Sequence, residues 1–184
     1  AGPRIATPDI NQVPEWRGAR PCRVLMLMNP RPHYGIDVLF DGLCACLGDQ
    51  NVVDYPFKPW LHGQDTEELK HYPCRFDRAG VALSLEEILA QIDAGQFDLV
   101  LYADVEGILN RDEMRAIVHR PGCPPVALVD ALDEFVNYRQ RASDHVGFDG
   151  FVAYFKREKH RIIDYGPRSF PFPFAYDRQK SIKT

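Results

Sequence analysis

Three unbroken apolar runs, separated by segments with helical periodicity, constrain the fold of this chain more than any other feature. The runs are VLMLM at 24–28, LVLY at 99–102 and VALV at 126–129. Runs without polar alternation are typical of strands buried on both faces, as in a parallel sheet. Their alternation with helical segments predicts an α/β fold with an open, mainly parallel, doubly wound sheet, Rossmann-like or flavodoxin-like, and helices on both faces.

Weaker signals complete a predicted sheet of five to six strands. A second strand is expected at 52–55, a fifth at 151–155 and a short sixth at 161–166. Helices are predicted at 36–48, 84–95, 110–120 and 132–142. Ser84 and Glu87 stand in capping-box positions, which marks the start of the second helix. In the first helix, the expected buried stripe consists of Ile36, Leu39, Phe40, Leu43 and Leu47.

One α/β domain at 23–168 accounts for most of the 184 residues. An irregular, proline-containing arm at 1–22 precedes it. A long irregular insertion at 56–80, hereafter the insertion, interrupts it, and such loops are often functional or covering elements. At 169–184 an exit segment rich in proline and aromatic residues follows. Because Phe170, Phe172 and Phe174 alternate in it, we expect one apolar edge to lie along the domain.

Composition narrows the function classes. A formal net charge of −4 gives no overall basic footprint, so a nucleic-acid partner is not expected. No apolar run approaches the span of a bilayer. The five cysteines are odd in number and lack paired spacing, which argues against a disulfide framework and favours small buried residues. A reducing cytoplasm fits this usage best.

Ligands of open α/β sheets bind beyond the carboxyl ends of the strands, and this rule selects candidate residues without any motif. In chain order the candidates are Asn29, His33, Tyr34 and Gly35 after the first strand, Asp54 and Tyr55 after the second, Asp104 and Glu106 after the third, Asp130 and Asp133 after the fourth, and Lys156 and Arg157 after the fifth.

The chemistry of these candidates stays open at the level of sequence. The loop NPRPHYG at 29–35 has one glycine and two prolines, so it matches neither GxGxxG nor a P-loop and disfavours a Rossmann nucleotide cofactor. His33 could bind a polar ligand, act as a base, or only cap a helix. No catalytic set can be named, because such residues assemble in space rather than in sequence order.

Charged candidates near the later strands also have two interpretations each. Asp104, Asp130 and Asp133 could hold a divalent cation, but carboxylates at such positions more often cap helices, and we predict no metal site. The basic run KREKHR at 156–161 could meet a phosphate or an acidic partner, or form a solvated turn.

Five segments follow one another in an order that resembles a group of bacterial glycosyltransferase-like proteins. They are DVLFDGLCACLGDQNVVDYPFKPWLHG (37–63), FDLVLYAD (97–104), PVALVDALDE (125–134), YFKRE (154–158) and FPFPFAYD (170–177). In that group an amphipathic helix leads to a VVDYP strand, and FDLV, an aspartate-rich strand end, YFKRE and a P-[IF]-P-F exit follow. The resemblance covers most of residues 23–177.

This resemblance implies the N-terminal Rossmann-like domain of a GT-B arrangement, in which two such domains face each other across a cleft. The first domain shapes the acceptor side, and the second grips the nucleotide-sugar donor. The chain would then bind a small-molecule or glycan acceptor and no cofactor of its own. It would meet a second domain or partner protein through the exit segment and would not be catalytically complete alone.

A non-catalytic α/β binding, scaffold or regulatory module is the alternative. Its receiver-like form is disfavoured, because Asn29 and Pro30 stand where a receiver has an acidic pair. The length of the insertion also fits receivers badly.

Overall fold

Six parallel strands form a single sheet in the computed structural model, which describes residues 22–64, 72 and 75–172. The strands are β1 Val24–Leu27, β2 Val52–Tyr55, β3 Leu99–Tyr102, β4 Val126–Asp130, β5 Ala153–Lys156 and β6 Ser169–Pro171. The α-helices are α1 Tyr34–Leu47, α2 Leu85–Asp93, α3 Arg111–Val118 and α4 Arg139–Val146. Every adjacent pair of strands is parallel, in the order β2-β1-β3-β4-β5-β6, so the predicted fold class is confirmed.

Helices cover both faces of this sheet, and each face has its own apolar cluster. On one face, Ile36 and Phe40 of α1 pack with alternate residues of β1, β3 and β4. On the other, Ile88 of α2, Met114 of α3 and Val146 of α4 pack against the opposite sides of the same strands. Burial on both faces explains why the strand sequences are continuous apolar runs. No helix in the described ranges has the length and apolar character that crossing a membrane requires.

The helix predicted at 132–142 is wrong in position, since α4 begins only at Arg139. One local and two long-range hydrogen bonds hold the preceding residues in a loop. The Leu132 N–H donates to Asp130 Oδ1 (3.1 Å), and the Tyr138 N–H donates to Tyr154 Oη (3.2 Å). The Tyr165 hydroxyl donates to the Phe135 carbonyl (2.6 Å). The two bonds that involve Tyr154 and Tyr165 are tertiary contacts, and they outweigh the local helical pattern.

The sixth strand lies at Ser169–Pro171 and not at 161–166. A turn occupies the predicted position: the Gly166 N–H donates to Asp164 Oδ1 (2.7 Å), and Gly166 has φ 77°. A positive φ is compatible with glycine and not with a regular strand. The sheet therefore extends into the region that the sequence assigns to the exit segment.

The exit segment begins as part of the sheet. Phe170 is in register with Phe155 of β5, and their ring centroids are 5.6 Å apart. Phe172 donates its N–H to the Lys156 carbonyl (2.9 Å) and packs on the same apolar cluster as α1. The expected apolar edge is thus present at Phe170 and Phe172. Phe174, the rest of the exit segment, the arm up to residue 21 and residues 65–71, 73 and 74 of the insertion lie outside the described residues.

The buried stripe of α1 is rotated relative to the prediction. It consists of Ile36, Asp37, Phe40, Asp41 and Cys44, whereas Leu39, Leu43 and Leu47 are only partly buried. Two carboxylates therefore face the interior, where the described part of the insertion packs against the helix. The Arg78 Nε donates to Asp41 Oδ1 (2.6 Å), which shows why Asp41 can lie there.

Candidate functional site

Strand order places a topological switch point between β1 and β3. From β1 the chain crosses to β2 on one side, and from β3 it crosses to β4 on the other. The loops at the carboxyl ends of β1 and β3 therefore diverge, which is where open α/β sheets bind ligands. We call this place the crevice and define it by Asn29, His33, Asp104 and Glu106. Asn29 Nδ2 donates to Glu106 Oε2 (3.2 Å), so two predicted candidates from different loops do meet here.

Two polar atoms at the crevice are buried without a hydrogen-bond partner in the described ranges: His33 Nδ1 and Asp104 Oδ1. The other oxygen of Asp104 accepts the Leu109 N–H at 2.7 Å, and the residue is only 1% exposed. Buried polar atoms are almost always paired in native proteins, so these two atoms mark the crevice as a candidate site for a polar ligand or a water molecule.

Burial lowers the pKa of His33, and this effect is larger than the effects that raise the pKa. The neighbouring carboxylate of Asp37, and more weakly that of Glu106, raises this pKa, while the ammonium of Lys58 lowers it further. The imidazole is therefore mainly neutral at pH 7. A neutral imidazole with an unpartnered nitrogen can accept a proton or a hydrogen bond.

Gly35 serves packing rather than ligand approach. A Cβ built on it would lie 3.0 Å from the Cβ of Ala131, just after β4. The absent side chain thus lets the first turn of α1 approach the end of β4. In the sheet, β4 lies two positions from β1, the strand that precedes α1 in the chain. Tyr34 is the first residue of the same helix.

Candidates beyond β4 and β5 neutralise one another. Lys156 Nζ lies 3.1 Å from Asp130 Oδ2, and both side chains are fully buried. Arg157 Nη1 lies 2.6 Å from Asp133 Oδ1 in a more exposed pair. Within the described ranges, no group of three His, Cys, Asp or Glu side chains has an arrangement that could hold a metal ion. These four residues stabilise the loops at that end of the sheet.

The remaining predicted candidates, at the end of β2, anchor the insertion and a helix. Asp54 Oδ2 accepts the Lys58 N–H (2.7 Å), and Asp54 Oδ1 lies 3.1 Å from His62 Nε2. The Tyr55 hydroxyl donates to Glu113 Oε2 (2.8 Å) on α3. Burial together with this bond raises the pKa of Tyr55 to about 12.

The sequence does not predict a buried cluster of hydrogen bonds and an ion pair around Asp37. Lys58 Nζ lies 2.8 Å from Asp37 Oδ1. Trp60 Nε1 (3.0 Å) and the Tyr72 hydroxyl (2.8 Å) donate to Asp37 Oδ2. Lys58 Nζ also donates to the Arg31 carbonyl (3.1 Å) in the loop before α1. The only available signal was a carboxylate beside Ile36 on the apolar stripe of α1.

A groove of about 460 Å³ lies along the outer strand β2, away from this chemistry. Val52, Val53, Val81 and Leu83 are among its lining residues, and of the strand-end candidates it contains only Asp54. The crevice therefore stands out by its polar chemistry and topological position, not by volume.

Neither protein-family models, nor curated proteins, nor solved structures contain a match to this chain. The crevice is consequently characterised by its own residues: a neutral imidazole, a buried carboxylate with one oxygen that lacks a hydrogen-bond partner among the described residues, and an amide paired with a second carboxylate.

Proposed function

We propose that this chain is the acceptor-side, N-terminal domain of a bacterial, cytoplasmic glycosyltransferase-like protein, and that the crevice binds a hydroxyl-bearing small molecule or glycan acceptor. The observation that carries the proposal is the pair of unpartnered atoms, His33 Nδ1 and Asp104 Oδ1, at the switch point. Sugar hydroxyls donate and accept hydrogen bonds, so they suit a carboxylate oxygen and a neutral imidazole.

In the proposed reaction the acceptor hydroxyl oxygen attacks the anomeric carbon of a nucleotide sugar. The bond from that carbon to the phosphate oxygen breaks, and the nucleoside diphosphate leaves with the bonding electrons. His33 takes the proton from the acceptor hydroxyl, a role that its lowered pKa suits near neutral pH. Asp104 orients the acceptor, because its Oδ1 accepts a hydrogen bond from a second hydroxyl of the same molecule.

The donor enters this scheme through a second domain or a partner protein that follows or contacts the exit segment. The loop at 29–35 supports this division, because its two prolines remove amide donors that a diphosphate needs. The chain is accordingly proposed as one half of a catalytic unit and not as a complete enzyme.

A non-catalytic scaffold or binding module is the second candidate. It is favoured by apolar side chains on the loops beyond β4 and β5: Phe135 and Val136 are each 53% exposed, and Ile162 is 81% exposed. Phe135 lies 5.1 Å, between ring centroids, from His160 of the neighbouring loop. An exposed apolar patch of this kind suits a protein partner.

A titration of the ¹⁵N-labelled chain followed by NMR tests the proposal. One arm uses mono- and oligosaccharides, and the other uses nucleotide sugars with and without Mg²⁺. We expect saccharides to shift the signals of Asn29, His33, Asp104 and Glu106. The variants His33→Ala and Asp104→Asn should lose this response. His119→Ala, at the exposed end of α3, is the matched control and should keep it.

Two outcomes would contradict the proposal. If no saccharide shifts the crevice signals, the domain has no acceptor site, and this result favours a scaffold or binding module. If nucleotide sugars bind there and saccharides do not, the chain lies on the donor side.

A further inference from the structure

We infer that Lys58, carried by the insertion, is a positioning residue for His33: it clamps the loop at 29–33 that carries this histidine. The insertion then has a defined role, which is to hold in place the loop that contributes His33 to the crevice. This role deepens the proposed function, since that function gives His33 its task, but the clamp itself can be tested without any sugar.

Two points of the loop are fixed by one buried ion pair. Lys58 is 1% exposed, and its Nζ donates both to the Arg31 carbonyl (3.1 Å) and to Asp37 Oδ1 (2.8 Å). The second oxygen of Asp37 accepts the His33 N–H at 3.2 Å. The backbone on both sides of Pro32 is therefore tied to the same Lys58–Asp37 pair.

The described part of the insertion holds this pair in place from its other side. Trp60 Nε1 and the Tyr72 hydroxyl both donate to Asp37 Oδ2, and Lys58 Nζ lies 5.3 Å from the centroid of the Trp60 ring. Asp37 is completely buried, so each of these donors replaces water that the carboxylate has lost. The pair cannot separate without leaving a buried charge uncompensated, which makes the clamp stiff.

Charges around His33 give the clamp an electrostatic consequence. Three charged groups act on the imidazole: Asp37 of α1, Lys58 of the insertion and Glu106 of the loop after β3. The two carboxylates favour the imidazolium, whereas Lys58, together with burial, favours the neutral ring. Removing the ammonium of Lys58 should therefore favour the charged imidazole of His33 over the neutral one. Removing a buried charge that does not act on His33 should have no such effect.

NMR titration of the imidazole ¹⁵N and ¹³C signals of His33 measures this effect in the 184-residue chain. Lys58→Met should raise the pKa of His33 and accelerate amide hydrogen exchange at His33. Lys156→Met is a closely matched control, since it removes a second buried lysine that is paired with an aspartate. It destabilises the chain but should leave the pKa of His33 unchanged.

A double variant keeps the test decisive if Lys58→Met does not fold. Asp37→Asn with Lys58→Met removes both charges and leaves no uncompensated ion. Because Asp37 raises the pKa of His33 more than Lys58 lowers it, this variant should show a pKa at or below that of the wild type. The inference is overturned if Lys58→Met and Lys156→Met give the same pKa for His33, or if the double variant raises it. Failure of saccharide binding would bear on the proposed function alone.

Discussion

Asp130 of β4 and Lys156 of β5 form an ion pair with no exposure to solvent, with 3.1 Å between Asp130 Oδ2 and Lys156 Nζ. The Tyr154 hydroxyl donates to the same oxygen (2.7 Å), and Lys156 Nζ also donates to the Leu132 carbonyl (3.3 Å). Residues that a sequence-level rule assigns to ligand binding are therefore committed to holding the loop after β4.

Lys156→Met should lower the free energy of unfolding strongly. The change leaves Asp130 as a buried carboxylate without its cation, a situation that costs about 3–5 kcal/mol. Urea denaturation monitored by circular dichroism measures the loss. Asp130→Asn with Lys156→Met should recover part of it, because no net charge stays buried.

An exposed ion pair provides the control for this prediction. Arg120 and Asp93 are 40% and 45% exposed, so water solvates both ions when the contact is lost. Arg120→Met should change the stability far less than Lys156→Met. Equal losses for the two variants would contradict the prediction, because they would show that burial does not make the loss of the Lys156 charge more costly.

Local patterns predict the first five strands and most helices because each pattern reports one face of one element. The run at 99–102 is buried by a sheet with helices on both sides, and Ser84 does cap α2 by accepting the Glu87 N–H. The start of α4 could not be predicted, since the Tyr138 N–H is held by Tyr154, 16 residues away. Sequence patterns carry no information about such a partner.

The same limit applies to the candidate site. Strand ends could be predicted, and with them His33 and Asp104, because the carboxyl edge follows from the parallel order. Lys58 and Asp37 could not, because an irregular segment supplies the cation and a nominally polar helix position supplies the anion. Their pairing depends on how the insertion folds back onto α1, 21 residues earlier in the chain.

Two glycines of α1 should respond oppositely to alanine. A Cβ at Gly42 would meet nothing within 4 Å, so Gly42→Ala should raise the free energy of unfolding by about 0.5–1 kcal/mol through helix propensity. Gly35→Ala would push against Ala131 at 3.0 Å and should destabilise the chain by about 1 kcal/mol or more. Thermal unfolding of both variants measures the difference. A stabilising Gly35→Ala would mean that α1 can move away from the end of β4.

The two cysteines of α1 should differ sharply in reactivity. Cys44 is buried, and burial, with a smaller contribution from Asp49, raises the pKa of its thiol to about 12. Cys46 is exposed, which corrects the expectation that the cysteines are buried. Alkylation by iodoacetamide at pH 8, followed by peptide mass spectrometry, should modify Cys46 first and Cys44 only after denaturant is added. Rapid native modification of Cys44 would contradict its burial beneath the insertion.

His62 should make the chain less stable as the pH rises above neutrality. Burial lowers the pKa of His62, but two hydrogen bonds outweigh burial and raise this pKa above 6.5. Nε2 lies 3.1 Å from Asp54 Oδ1, and Nδ1 lies 2.8 Å from the Arg78 carbonyl. A raised pKa means that the folded state binds the proton more tightly than the unfolded state. This contribution is complete below about pH 6.5 and is lost as the pH rises through the folded-state pKa.

His33 acts with the opposite sign, and this separates the two histidines experimentally. Its lowered pKa gives a contribution that is present above pH 6.5 and is lost as the pH falls toward the folded-state value. Urea denaturation between about pH 5 and pH 8.5 should therefore show His62→Ala flattening the decline on the alkaline side and His33→Ala flattening it on the acid side. If His62→Ala left the alkaline slope intact, the imidazolium of His62 would not be what binds the insertion to Asp54.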